Sequence, residues 1–115
     1  MSDAATTCPV DLEDGLARAG DDLDFYKELI EMFLSDAPER VETLRRCARD
    51  GDAAQLSAEA HGLKGAAASL SATEVRDLAC EIESASRAGR STGFDEDFDR
   101  LAHAITRLRE YAEAL

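Results

Sequence analysis

Hydrophobic positions recur at steps of three and four residues along most of the chain, and this period predicts helices throughout. In the run DLDFYKELIEMFL, Leu23, Tyr26, Ile30 and Phe33 fall on one stripe, with Asp21 and Asp22 ahead of it as caps. Ser35, Asp36, Ala37 and Pro38 interrupt that stripe. Proline is tolerated in a first helical turn, so the segment reads as either a restart or a kink. The pattern resumes with Ala37, Val41, Leu44 and Ala48 and stops at Asp50-Gly51-Asp52. A further helix is predicted from near Asp52 to near Leu70, with Leu56, Ala60, Leu63, Ala67 and Leu70 on a core-facing seam. Ser71 followed by Glu74 has the spacing of a capping box and opens a helix with Val75, Leu78, Ile82 and Ala85 inward. Gly89 closes it, and Arg90-Ser91-Thr92-Gly93 makes a turn. The last helix carries Phe94, Phe98, Leu101, Ile105, Leu108, Ala112 and Leu115 inward.

Ahead of these four helices, Asp11 to Ala19 predicts a short helix ending at Gly20, and residues 1–10 read as a flexible tail. No strand-like alternation interrupts the series. The expected fold is therefore all-α: an antiparallel up-down four-helix bundle over residues 11–115, with a short extra N-terminal helix. A length of 115 residues suits one domain and leaves no room for two. The initial Met and the short tail point to a free-standing protein.

Charge narrows the partners. The chain carries 25 acidic and 13 basic side chains, a net charge of -12. Such a chain repels phosphate backbones and anionic lipid, which argues against nucleic acid and membrane surfaces as partners. Cys8, Cys47 and Cys80 are odd in number and widely spaced, without a preceding apolar leader. They read as free thiols in a reducing cytoplasm. Two distant histidines without a carboxylate or cysteine cluster give no metal site, and no glycine-rich phosphate loop is present.

The third main helix strains a purely structural interpretation. Gly62 and Gly65 sit in its middle, where each costs about 1 kcal/mol relative to alanine. On a helical wheel His61 lies one step off the core seam. Ser57, Lys64, Gly65 and Ala68 surround it on the same face, and all but the lysine are small. The imidazole should stand clear of the surface, with room for a second protein and a mobile ammonium beside it. A tetrahedral dianion carried on a ring nitrogen needs that combination. His103, lacking glycines or a lysine at matching offsets, reads as an ordinary surface residue.

His61-Gly62-Leu63-Lys64-Gly65-Ala66-Ala67 closely resembles the H-x-L-K-G-[SA] signature of histidine-containing phosphotransfer (HPt) domains. DLDFYKELIEMFLSDAPERVETLR is similar to the helix pair before the histidine helix in that family, and LACEIESASRAG to the helix after it. The resemblance spans roughly residues 11–112. Ser71 departs from it, since many members carry glycine there.

The resemblance implies a phosphoryl carrier, not a self-sufficient enzyme. His61 would accept the phosphoryl group, Lys64 would help to hold it, and Gly65 would leave space for the docking partner. Glu83 matches a position that can face the phosphohistidine, where it would orient the ring. A plain solvated carboxylate is its equal alternative. Asp36 is a weaker candidate of that kind and more simply a helix cap. Receiver domains of response regulators, and a hybrid histidine kinase, are the implied partners. No cofactor is expected on this chain, with Mg²⁺ on the receiver. Met32 is a candidate for an exposed docking residue.

Two rival accounts differ in kind. A non-phosphorylated bundle that sequesters a receiver or kinase would not need His61, Lys64 and Gly65 together. A kinase dimerisation domain would use a helical hairpin and an acidic residue after the histidine. Here one chain supplies four helices and Gly62 follows His61, so a monomer is expected.

Overall fold

A computed structural model of the protein describes residues 8–115, and the expected tail lies outside them up to residue 7. Five helices follow in order: α1 (Leu12–Arg18), α2 (Leu23–Arg49), α3 (Ala53–Ser69), α4 (Thr73–Arg87) and α5 (Asp95–Ala114). Helix α2 packs on α3, α3 on α4, α4 on α5, and α5 returns to α2, closing the antiparallel ring while α1 rests on α2. No strand occurs among the described residues.

Aspartates start three of the helices. Asp11, Asp22 and Asp52 each accept a backbone N–H from three residues on, at 3.1, 3.0 and 3.0 Å. Each thereby satisfies an otherwise orphaned donor and places negative charge at the positive end of the helix dipole. The predicted α3 seam is the most deeply buried stripe, with Leu56, Ala60, Leu63 and Ala67 all at 0% exposure. Its alanines let α2 and α4 approach closely, while its leucines fill the space between them.

The structure corrects the sequence expectations at several places. Helix α2 neither restarts nor ends at Pro38: it is one helix of 27 residues with the proline inside. The missing N–H leaves one rung of the ladder open. Leu34, Ala37 and Val41 are buried around it, and their packing carries the helix past the proline. Leu23 is 40% exposed and does not share the stripe of Tyr26, Ile30 and Phe33. Asp36 caps nothing, since it stands in the middle of α2. Val10 is buried, and the Asp11 N–H donates to the Ser71 carbonyl.

Ser71 does not form the expected capping box. Its φ is +55°, the left-handed region, and α4 starts after Ala72 without a side-chain cap. The Ala72 N–H instead closes back on the Ala67 carbonyl, and the Ser71 N–H on that of Ala68. These bonds satisfy the last carbonyls of α3. A left-handed turn explains why glycine suits this position. Here the serine hydroxyl donates to the Asp14 carboxylate of α1, so the strained residue also ties α1 to the bundle.

Tyr26 anchors the same corner. Its ring is 1% exposed and its hydroxyl donates to the Leu70 carbonyl at 2.7 Å. Burial pushes the phenol up to about 12, so it stays a donor at any ordinary pH. Gly15 of α1 lies directly on this ring: a Cβ there would stand 2.5 Å from it. Gly15→Ala should therefore cost about 1–3 kcal/mol despite alanine's better helix propensity, because the pinned ring cannot retreat. Urea unfolding measures this, with an unchanged midpoint counting against the packing described.

Candidate functional site

Helices α3 and α4 pack on each other more extensively than any other pair of helices, and this brings His61 opposite Glu83. The two positions differ sharply in environment. His61 exposes 66% of its side chain, whereas Glu83 exposes 3%. A buried carboxylate is costly unless it is paired, and Glu83 is paired three times. Its Oε1 accepts from Lys64 Nζ at 2.6 Å, and its Oε2 meets His61 Nδ1 at 2.8 Å and Arg87 Nη2 at 2.5 Å. The plain solvated carboxylate allowed by the sequence is thus excluded.

These bonds set the protonation states. The hydrogen bond from Lys64 holds the Glu83 carboxyl below its ordinary value of 4.5, and the bond from His61 adds to this, while burial opposes both. An ionised carboxylate has no proton to give, so the His61–Glu83 bond requires the proton on Nδ1. The lone pair of a neutral ring then sits on Nε2. His61 Nε2 has no hydrogen-bond partner among the described residues.

The same lowered value has a consequence in acid. The unfolded chain takes up the Glu83 proton at a higher pH than the folded one does. The cluster's contribution to stability is therefore complete above the ordinary carboxylate value and fades as pH falls through the folded value. Acid unfolding of wild type and Glu83→Gln should show a stability gap at neutral pH that closes in acid. A gap that widens in acid would contradict the assigned charge.

Lys64, on α3 one turn after His61, is drawn inward by Glu83 and keeps 31% of its side chain exposed. Gly65 is exposed, and a Cβ added there would meet nothing within 4 Å. Its glycine therefore serves no helix–helix contact of this chain. A Cβ at Gly62 would lie 3.7 Å from the Arg40 guanidinium of α2. Ser57 and Ala68 are half-buried on the same α3 face but take no part in the Glu83 bonds. His61, Lys64 and Glu83 are thus brought together, and the small residues frame them.

On the α2 side, Leu29, Met32, Asp36 and Arg40 line a groove against Ala66 and Ser69 of α3. Met32 is 66% exposed, and Phe25, two turns earlier on the same stripe, is 46% exposed. Sequence reasoning did not single out Phe25, Arg40 or Arg87. For Arg87 a signal existed, since Glu83 and Arg87 stand at the i, i+4 spacing of a helical ion pair. His103 is exposed and lies apart from the cluster, beside Cys8 and Arg107. Cys8 and Cys80 are exposed, and Cys47 is buried, which pushes its thiol up. Among the described residues no group of three or more His, Cys, Asp or Glu could hold a metal ion. No described helix is long and apolar enough to cross a membrane.

No curated protein matches the chain. Among solved structures, the fold is similar to histidine-containing phosphotransfer protein B (HptB) from Pseudomonas aeruginosa PAO1. That match has a TM-score of 0.83 at 21% identity and covers 95% of each chain. It is also similar to the HPT domain of a sensor hybrid histidine kinase from Shewanella. There the TM-score is 0.72 at 21% identity, covering 92% of each chain. The family model for the Hpt domain matches residues 28–111, from α2 through α5 and across the whole His61 cluster. The chain belongs to the Hpt domain family and is a histidine phosphotransfer protein of two-component phosphorelays.

Proposed function

We propose that His61 is the phosphoacceptor of this chain and that its Nε2 exchanges the phosphoryl group with an aspartate of a receiver domain. Hpt domains interact with receiver domains and histidine kinases in phosphorelays, as phosphocarrier modules. The observation that carries the assignment is the exposed ring held by a buried, ionised carboxylate through Nδ1. The bond directs the lone pair of Nε2 outward, and Lys64 waits beside it.

The step balances without a proton leaving the ring. The Nε2 lone pair attacks phosphorus, the P–O bond to the receiver's aspartate breaks, and that aspartate departs as carboxylate. Nδ1 keeps its proton, so the phosphorylated ring carries positive charge, which Glu83 stabilises from 2.8 Å. Mg²⁺ bound by the receiver's own acidic residues would neutralise charge on the transferring phosphoryl. This chain supplies the nucleophile, the cations around it and a docking face. Phe25, Leu29 and Met32 on α2, with the open surface over Gly65, suit an apolar helix of the receiver. One chain closes its own ring of four helices, which supports a monomer, and free thiols support a cytoplasmic setting.

The test is incubation with a phosphorylated receiver domain and Mg²⁺. The chain should acquire acid-labile, alkali-stable phosphate. A chain that binds receivers, stays folded and takes no label would instead be a sequestering module.

A further inference from the structure

Glu83 holds more cations than its single negative charge requires. Lys64 and Arg87 both bond it, on different oxygens, and the His61 ring takes a third bond. One cation would suffice to keep the carboxylate ionised. The second becomes intelligible in the phosphorylated state. We propose that Arg87 is a second cation for the phosphoryl group, parked on Glu83 until His61 is phosphorylated. This rests on the assignment of His61 as phosphoacceptor.

Placement supports the exchange. Arg87 Nη2 and His61 Nδ1 bond the same oxygen, Oε2, so the guanidinium lies one atom away from the ring it would serve. Its side chain is 70% exposed, against 31% for Lys64, so Arg87 swings out at little cost in packing. A planar guanidinium also matches phosphoryl oxygens two at a time, which an ammonium cannot do.

Charge counting supports it as well. Before transfer the cluster holds Glu83 against Lys64 and Arg87, an excess of one positive charge. Transfer adds a dianionic phosphoryl and makes the ring cationic, which brings the cluster to neutrality. With Lys64 alone, the carboxylate and the phosphoryl group would compete for one cation. With both, Lys64 stays on Glu83 or shares itself, and Arg87 crosses to the phosphoryl oxygens. Glu83 keeps its bond to Nδ1–H throughout and continues to stabilise the charged ring.

The experiment is the equilibrium partition of label between this chain and a receiver domain with Mg²⁺, using wild type, Arg87→Ala and Arg87→Lys. The partition compares the two free proteins, so a contact made only during docking leaves it unmoved. Loss of a charge-assisted contact in Arg87→Ala should shift label about tenfold towards the receiver. Arg87→Lys should recover most of that shift. Thermal unfolding should be alike in all three, since the side chain is exposed. An Arg87→Ala partition equal to wild type, with wild type labelled, overturns the role of Arg87 and leaves His61 untouched. A wild type that takes no label overturns both.

Discussion

The His61→Gln chain should fold as wild type does and take up no phosphoryl group. With the proposed acceptor nitrogen removed, transfer should slow by at least about a thousandfold, the scale seen when a nucleophile is deleted. The fold should survive for a specific reason. The ring is two-thirds exposed, and its one polar contact is with Glu83. A glutamine amide can donate to the same carboxylate oxygen, so the buried charge keeps its partners. Circular dichroism and receiver binding would establish that the variant is intact, and label uptake would be read on the same preparation. Label at the wild-type level would move the acceptor to another residue.

Glu83→Gln should be the second most damaging change, slowing transfer about ten- to hundredfold, as loss of a residue that orients a reactive group commonly does. The amide oxygen can still accept from Nδ1–H, so the ring keeps its orientation. What disappears is the negative charge. The imidazole turns cationic as the N–P bond forms, and a neutral amide stabilises that product far less. Lys64 and Arg87 also lose the anion that holds them beside the ring. The deficit should fall on the transfer rate within the complex and not on receiver affinity, because Glu83 is buried and cannot touch a docked protein. Rapid-mixing kinetics over a range of receiver concentrations separates the two. An affinity loss with an unchanged maximal rate would mean that Glu83 only shapes the surface.

Most of the scaffold was legible in the sequence because bundle packing imposes a period that single residues reveal. The α3 seam at alternating steps of four and three became a buried stripe, with its first four positions fully enclosed and Leu70 capping the helix. His61, Lys64 and Gly65 were legible for the opposite reason. Glycines and a lysine beside a histidine make poor sense as core and good sense as a reactive face. Glu83 was only half legible. A glutamate on an amphipathic helix is usually solvated, and its burial depends on three hydrogen-bond donors from two helices, two of them cations, converging on one point. No local pattern encodes that convergence. Ser71 misled for a related reason. Its spacing from Glu74 fits a cap, but its hydroxyl is claimed by Asp14, which lies 57 residues away in the chain. Pro38 left a restart and a kink both open because the local rule for proline ignores the buried neighbours that carry α2 through it.

The position of the phosphoryl group on the ring tests the mechanism most directly. Phosphorus–carbon couplings in the NMR spectrum of the phosphorylated, ¹³C-labelled chain distinguish the two ring nitrogens. With Glu83 holding the proton on Nδ1, coupling should reach His61 Cδ2 and Cε1, which flank Nε2. Coupling to Cγ would place the phosphoryl on Nδ1, and no ionised Glu83 could then be holding a proton there.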